Sequence, residues 1–145
     1  MIAELIIVVE ALSFSPEALD QKEVLCVARN IYHESRSESV EGQIAVAQVV
    51  VNRQNSLDKT ACEVVYAKHQ FSWTTKKPKV DLKDPIEREA FEDAAAIAVD
   101  VMTGKSDSVV GDAEYFISKD MKKPAWTKAL KFVGVVGKHA FYAKK

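Results

Sequence analysis

The densest group of reactive side chains runs Tyr-His-Glu-Ser-Arg-Ser-Glu from Tyr32 to Glu38, at the predicted end of a helix. Glu34 is the member best placed for chemistry, because Ile31, Tyr32 and the apolar helix that follows can surround it partly with apolar material. Burial disfavours the charged form of a carboxylic acid and so raises its pKa. A glutamate in such surroundings can hold a proton near neutral pH and donate it. The competing interpretation is a solvated glutamate at a helix end.

His33 stands beside Glu34 and raises the question of a metal site. A zinc site of the H-E-x-x-H type needs a second histidine at position 37, where the chain has Ser37. The spacing of His69 and His139 does not favour a three-histidine site either. We therefore expect no metal and no cofactor. The chain also lacks a glycine-rich phosphate loop, a G-x-S-x-G nucleophile elbow and any zinc-finger or RNA-binding signature.

The composition is that of an ordinary globular domain. The chain has 145 residues, 20 lysines and arginines against 21 aspartates and glutamates, and a net charge of −1. Hydrophobic residues make up 48% of the chain and charged residues 28%. This composition excludes disordered, collagen-like and disulfide-scaffold proteins. The length predicts a single domain over residues 1–145. Cys26 and Cys62 form no C-x-x-C motif and lie among apolar neighbours, so we expect buried free thiols, with a disulfide as the alternative.

The two ends of the chain differ in charge. Residues 1–12 are apolar apart from Glu4 and Glu10, have no basic n-region, and are shorter than a membrane-spanning helix. We therefore expect neither an export signal nor membrane insertion, and a protein that accumulates in the cytoplasm. The segment 118–145 holds eight lysines and one acidic residue, Asp120. It is either a solvated surface or a face that attracts anionic wall polymers or nucleic acid.

Helix signals dominate the first half of the chain. Ser15-Pro16-Glu17 predicts a helix start with serine as the N-cap, and apolar positions at helical spacing continue to about residue 34. Ser39 predicts the cap of a second helix that ends near residue 55. That helix is apolar nearly all round, which predicts a central position in the domain.

A short helix over residues 61–67 and a polar surface loop over 68–84 are predicted next. Pro85 opens a third long helix, for which Gly104 is the predicted C-terminal cap. The pattern then changes, and residues 113–117 and 133–142 predict two short strands. Helices followed by a few strands are typical of an α+β fold. We expect a mainly helical single domain with a small antiparallel sheet near the C-terminus.

Most aromatic residues lie in the second half of the chain. Trp73, Tyr115 and Trp126 lie beside polar residues and are candidates for a binding wall, because exposed aromatic rings can stack on sugars. Phe116 and Phe141 are assigned to the core.

The order of several motifs along the chain is more informative than any one of them. These motifs are Ile31–Glu38, Glu41–Ala47, Val51–Arg53, Cys62–Tyr66, Gln70–Trp73, Tyr115-Phe116, Pro124 with Trp126, and Gly137–Tyr142. Together they resemble the SleB-like cell-wall hydrolases, a family that includes spore cortex-lytic enzymes and phage endolysins. The resemblance covers about residues 22–142 and leaves residues 1–20 as an N-terminal extension. It implies a cleft like that of lysozymes and lytic transglycosylases.

The resemblance also implies an activity, since members cut the glycan strands of peptidoglycan and some act as lytic transglycosylases. Glu34 matches the family's catalytic acid. It would protonate the oxygen between N-acetylmuramic acid and N-acetylglucosamine, and then act as base on the muramoyl 6-hydroxyl as a 1,6-anhydro ring closes. One residue serves as acid and base, so no second carboxylate is required. The residues expected around the cleft are Gln43, Phe71, Trp73, Tyr115, Trp126 and His139.

One position departs from the family pattern. The usual A-R-G-E is Ser35-Arg36-Ser37-Glu38 here, so Ser37 would be strained if the turn after Glu34 needs a positive φ. The sequence shows no wall-binding repeat and no export signal, which favours a phage endolysin held in the host cytoplasm until its release to the cell wall or periplasm. We expect a monomer whose partner is the glycan strand, and no nucleic-acid partner.

Three alternatives stay open. A hydrolytic muramidase would use Glu34 with a second carboxylate, for which Glu38 and Glu41 are near in sequence. A metal-dependent amidase would lose activity with a chelator. A wall-binding or nucleic-acid-binding module would use the basic segment 118–145 and would function without Glu34, and its binding to nucleic acid would fall steeply with salt.

Overall fold

The computed structural model describes residues 19–68 and 70–145. In this part of the chain, helices come first and a three-stranded antiparallel sheet follows, which is the α+β arrangement predicted from the sequence. The helices are α1 (Gln21–Ser35), α2 (Val40–Leu57), α3 (Ala61–Val65), α4 (Trp73–Lys76) and α5 (Pro85–Met102). The strands are β1 (Tyr115–Ser118), β2 (Leu130–Val136) and β3 (His139–Lys144), with a 3-10 helix over Ala125–Ala129 before β2. None of the described helices is long and apolar enough to cross a membrane.

Helix α1 carries Glu34 close to its C-terminal end. The helix begins at Gln21, where Oδ1 of Asp20 accepts the backbone N–H of Lys22 at 2.8 Å. An aspartate in this position satisfies an N–H group that the first helical turn leaves unpaired. The start predicted at Ser15 lies outside the described residues, and the helix that reaches Glu34 starts instead after Asp20.

Helix α2 is the central element, as its apolar pattern predicted. Ser39 caps it, because Oγ of Ser39 accepts the backbone N–H of Gly42 at 3.2 Å. Helices α1, α3 and α5 all pack against it. Ala45, Val46 and Val50 are therefore fully buried although they point in different directions around the helix.

Local signals also set the ends of α3 and α5. Thr60 and Glu63 form a capping box at the start of α3. Asp84 caps α5, whose first residue is Pro85 as predicted. After α5 ends, Gly104 adopts a φ of 76°, a left-handed conformation that favours glycine.

The segment 68–84, predicted as a surface loop, is partly anchored to the core. It contains the short helix α4, and Phe71 just before that helix is buried. The Phe71 ring packs on Phe116 at 6.0 Å between centroids. An apolar side chain therefore holds this segment against the sheet.

The hydrophobic core of the described residues has three parts. Two of them meet beside α2, and the third lies on the sheet around Ile117, Ala140 and Tyr142. The larger part lies between α1, α2 and α5, with Phe91 and Ile31 fully buried. A smaller cluster includes Val49 of α2 and Phe141 of β3, so it joins the helices to the sheet. The core on the two sides of α2 is therefore built from residues that are far apart in the sequence.

The sheet has the strand order β1-β3-β2, with both pairs antiparallel. The single strand predicted over 133–142 is wrong, because this stretch is a hairpin. Val136 pairs with His139 across a two-residue turn made by Gly137 and Lys138. Gly137 has a φ of 58° at the first turn position, where the favoured two-residue turns need a positive φ. The strand predicted over 113–117 is β1, shifted towards the C-terminus.

Cys26 of α1 and Cys62 of α3 form a disulfide, so the expectation of two free thiols was wrong. Helix α3 packs against α1 and brings the two Cα atoms within 5.2 Å. That separation lies in the range that a disulfide needs. The pairing depends on the packing of two helices and not on a local motif, which is why the sequence left it open.

Candidate active site

A groove of about 1050 Å³ lies where the helices meet the sheet. Its lining comes from the end of α1, the middle of α2, the segment around α4, β1, the 3-10 helix and the start of β3. Five of the residues predicted for the site line it together: Glu34, Phe71, Tyr115, Trp126 and His139. The fold thus brings residues from distant parts of the sequence to one space.

Glu34 lies on the last turn of α1 and is partly buried. Burial, and to a smaller extent the negative charge of Glu38, together raise the pKa of Glu34 to about 7. A carboxylate loses hydration in such surroundings, so the protonated form is favoured. With a pKa near neutrality the same carboxyl group can donate a proton and later accept one.

The turn after Glu34 does not need a glycine. The hydroxyl of Ser35 donates to the carbonyl oxygen of Ile31 at 2.9 Å, and the backbone N–H of Glu38 donates to the carbonyl oxygen of Ser35 at 2.9 Å. Among the described non-glycine residues, a positive φ occurs only at Asp58 and Lys77. Ser37 therefore bears none of the strain that a glycine-dependent turn would have imposed.

Glu38 is tied to the turn between β2 and β3. Its side chain is only 3% exposed, and its Oε1 accepts the backbone N–H of Lys138 at 2.8 Å. Oε2 lies 3.1 Å from Nδ1 of His139. Gln43 holds the backbone of Glu38, since its Nε2 donates to the carbonyl oxygen of Glu38 at 3.1 Å. Gln43, which was predicted for the site, is buried and does not line the groove.

His33 and Trp73 form a separate contact on α1, outside the lining of the groove. Their rings pack at 4.5 Å between centroids, and Nε1 of Trp73 donates to Oδ1 of Asn30 at 2.8 Å. Burial, and to a smaller extent the positive charges of Arg36 and Arg29, together lower the pKa of His33 to about 4. His33 is therefore neutral at physiological pH.

A metal site was weighed for the three histidines from their sequence positions. His69 lies outside the described residues. Within the described ranges, no group of three or more His, Cys, Asp or Glu side chains is arranged to hold an ion. His33 lies outside the groove lining and His139 within it.

Aromatic rings form the wall of the groove on the side of the sheet. Tyr115 and Trp126 lie 5.9 Å apart between centroids, and Trp126 is 44% exposed. Phe71 also lines the groove, although it is almost entirely buried. Flat apolar rings with open faces suit the apolar faces of sugar rings.

Two buried charged residues that the sequence analysis did not single out also line the groove. Arg53 and Glu114 are each 8% exposed. Burial lowers the pKa of Arg53, and its guanidinium carbon lies 5.8 Å from the centre of the Tyr115 ring. Oε1 of Glu114 lies 3.7 Å from Nζ of Lys144.

One of these two residues left a signal in the sequence. Arg53 follows Val49 by one turn on the buried face of α2, where an arginine interrupts an apolar pattern. No local pattern marks Glu114, because its partner Lys144 comes from β3.

The family of the chain follows from a match to a known sequence model. The model described as Cell Wall Hydrolase matches residues 37–142, nearly three quarters of the chain. The chain belongs to the cell wall hydrolase family. The matched region of this cell wall hydrolase includes Arg53, Glu114 and His139, and it begins three residues after Glu34.

Relatives and solved structures agree with this family. The spore cortex-lytic enzyme of Oceanobacillus iheyensis is 28% identical over 128 residues, which cover 87% of this chain and 43% of that enzyme. The cell wall hydrolase thus spans less than half the length of the curated relative it matches.

The same fold occurs in two solved structures. The catalytic domain of the Bacillus cereus SleB protein is 25% identical, with a TM-score of 0.68 over 85% of this chain and 91% of that one. The catalytic domain of the germination-specific lytic transglycosylase SleB from Bacillus anthracis is also 25% identical, with a TM-score of 0.70 over 88% of this chain and 99% of that one. This cell wall hydrolase therefore has the fold of the SleB catalytic domains, as its motifs predicted.

Proposed function

We propose that this cell wall hydrolase is a lytic transglycosylase that cleaves peptidoglycan glycan strands between N-acetylmuramic acid and N-acetylglucosamine. The observation that carries the proposal is Glu34, a partly buried glutamate with a pKa of about 7 that faces an aromatic-lined groove. The likeness to the catalytic domain of a germination-specific lytic transglycosylase supports it.

In the first step Glu34 acts as the acid. Its protonated carboxyl gives a proton to the glycosidic oxygen while the bond from that oxygen to C1 of the muramoyl residue breaks. The departing N-acetylglucosamine leaves with a hydroxyl group, and Glu34 is left ionised. Partial burial favours this step, because the proton is held at neutral pH until the substrate takes it.

In the second step the same residue acts as the base. Ionised Glu34 takes the proton of the muramoyl 6-hydroxyl, and that oxygen bonds to C1 to close a 1,6-anhydro ring. Glu34 returns to its protonated state, and no water molecule is consumed. One carboxyl group therefore suffices for the whole reaction.

The hydrolytic alternative needs a second carboxylate facing Glu34. Glu38 is already bound to the backbone of Lys138, and Glu41 is exposed on α2 and is not among the described residues that line the groove. Glu114 lines the groove, so it is the carboxylate that hydrolysis would use. Under the proposed mechanism, Glu114→Gln keeps the 1,6-anhydro products; under hydrolysis it abolishes the reducing ends.

We also propose that the protein acts as a phage endolysin, held in the host cytoplasm until its release to the wall or periplasm. The lysine-rich segment 118–145 supports this role, because it would attract anionic wall polymers. Disulfides form mainly in oxidising compartments, so the bond between Cys26 and Cys62 would close after release. Thiol alkylation of the protein inside cells and after lysis checks this: the cysteines should be free only before release.

The experiment that tests the activity is mass spectrometry of muropeptides released from Gram-negative peptidoglycan by wild type and by Glu34→Gln. The wild type should release 1,6-anhydro ends and the variant should release none. Reducing muramic ends that disappear in the variant would keep Glu34 but contradict transglycosylation. If the variant cleaves as well as wild type, the role of Glu34 is wrong.

Two controls separate the remaining enzyme and binding hypotheses. A chelator should leave the activity unchanged, whereas a metal-dependent amidase would lose it. Glu34→Gln should still bind the wall, because the substitution removes a proton donor and not the aromatic surface. A protein that binds the wall without cleaving any bond would be a binding module instead.

A further inference from the structure

We propose that Glu38 is a positioning residue for the reaction: its carboxylate fixes the β2–β3 turn, and with it His139, against the end of the helix that carries Glu34. The proposal rests on the proposed function, since it assigns a part in the reaction of Glu34. Glu38 is not one of the described residues that line the groove. It therefore acts through the turn and through His139, which its carboxylate contacts.

The carboxylate of Glu38 joins two segments that are far apart in sequence. Its Oε1 accepts the backbone N–H of Lys138 at 2.8 Å, and Oε2 lies 3.1 Å from Nδ1 of His139. The contact to His139 is close but not aligned as a hydrogen bond, so the attachment runs chiefly through the backbone of the turn. A side chain this deeply buried needs such donors, because an unpaired buried carboxylate is costly.

Two glycines leave the space that this carboxylate occupies. A Cβ atom on Gly137 would lie 2.5 Å from Oε1 of Glu38, and the φ of Gly137 is 58°. A Cβ atom on Gly42 would lie 3.3 Å from the same oxygen. The start of α2 and the β2–β3 turn thus close around Glu38, and a Cβ atom on Gly137 would push the carboxylate away from the turn and strain the left-handed backbone there.

The turn held by Glu38 leads directly into the groove. His139 is the first residue of β3, pairs with Ser118 of β1, and lines the groove with Glu34. Its ring packs on Phe116 at 4.9 Å between centroids. A shift of the turn would therefore move one wall of the groove relative to Glu34.

Glu38 also acts on Glu34 by its charge. The negative charge of Glu38 adds to burial in raising the pKa of Glu34. The other titratable or charged side chains that line the groove with Glu34 are Arg53, Lys76, Glu114 and His139. Glu34 must be protonated to start the reaction, so activity falls as the pH rises through its pKa. Without the charge of Glu38 this fall should come at a lower pH. Burial, the larger cause, stays, so the pKa of Glu34 should remain above its ordinary value of 4.5.

The test compares pH profiles of kcat/KM on solubilised glycan strands for wild type and three variants, together with thermal unfolding. Glu38→Gln keeps an oxygen that can accept the N–H of Lys138 but removes the charge. Gly137→Ala keeps the charge but disturbs the contact between the Glu38 carboxylate and the turn. Glu89→Gln removes a charge from an exposed site on α5 and is the matched control.

Glu38→Gln should move the alkaline limb of the profile to lower pH. Activity at a pH above the limb should then be about tenfold lower for every full pH unit by which the limb moves. Gly137→Ala should lower activity at every pH and leave the limb in place. Glu89→Gln should match wild type. These three results together support the proposal.

Two results would overturn it. One is a Glu38→Gln profile that superimposes on wild type together with full activity of Gly137→Ala. The other is a loss of activity in Glu38→Gln that follows its loss of thermal stability, with the limb unmoved, since Glu38 would then be structural only. Wild type that cleaves no glycan strand would overturn the proposed function itself before any variant is compared.

Discussion

The helical part of the molecule (residues 21–102) buries both of its phenylalanines, whereas the sheet part (residues 115–144) buries Phe141 but exposes Phe132. Phe91 of α5 is fully buried among the helices, whereas Phe132 on the edge strand β2 is 53% exposed. Glu34 comes from the helical part and Trp126 from the sheet part. The groove therefore has one densely packed wall, which holds Glu34, and one open wall, which exposes aromatic rings.

The sharpest test of this difference is the same truncation in both parts. Phe91→Ala should destabilise the fold by about 3–5 kcal/mol, because it leaves a cavity in the core. Phe132→Ala should change stability by less than about 1 kcal/mol, since much of that ring already contacts solvent. Urea denaturation of both variants measures the difference. Equal losses would contradict the account of a packed part and an open part.

The disulfide should stabilise the helical part without shaping the groove. It closes a loop between residues 36 positions apart in sequence. Replacing both Cys26 and Cys62 by alanine should lower the free energy of unfolding by about 2–4 kcal/mol. Activity per folded molecule should be unchanged at a temperature where the variant is folded. A large loss of kcat in the folded variant would show that the bond also sets the position of α1.

Ionised Glu34 should lower the free energy of unfolding of the protein. Its pKa is about 7 in the folded protein against an ordinary value of 4.5. Between these pH values the folded protein keeps a proton that the unfolded chain has released, so wild-type stability falls as the pH rises through that range. Glu34→Gln should therefore be more stable than wild type at pH 8, by up to about 3 kcal/mol.

Denaturation at pH 8 and pH 4.5 provides the control for that prediction. The advantage of Glu34→Gln should shrink towards pH 4.5, where the folded protein and much of the unfolded chain hold the proton. A variant that is less stable than wild type at pH 8 would mean that ionised Glu34 is well solvated.

The smallest expected effect concerns the open wall. Trp126→Ala should lower kcat/KM by about tenfold, or about 1.4 kcal/mol, mainly through KM, because it removes a ring that faces the groove. Ile86→Ala is the control, since Ile86 is 77% exposed on α5 and does not line the groove. If Trp126→Ala has the kcat and KM of wild type, Trp126 does not contribute to substrate binding.

Local chemistry explains which parts of the fold the sequence predicted. Ser39 and Pro85 mark helix starts through their own side chains, so both helices were placed correctly. Gly137 was not recognised as a turn, because the apolar residues on both sides of it continue one strand-like pattern. The hairpin was therefore predicted as one strand.

Long-range contacts explain what the sequence did not show. The disulfide depends on how α1 packs against α3, and Glu114 faces the groove because β1 pairs with β3. Glu34 was proposed from its local surroundings and its motif, and the structure places it in the groove lining. The hydrogen bond from the backbone N–H of Lys138 to Glu38 joins residues a hundred positions apart, so no local sequence pattern indicates it.

If Glu34 alone serves as acid and base, no oxygen from water enters the product. This can be measured by digesting peptidoglycan in water enriched in ¹⁸O. We expect muropeptides that end in a 1,6-anhydro ring and carry no ¹⁸O at C1. Reducing muramic ends labelled with ¹⁸O during cleavage would contradict this expectation and would establish hydrolysis.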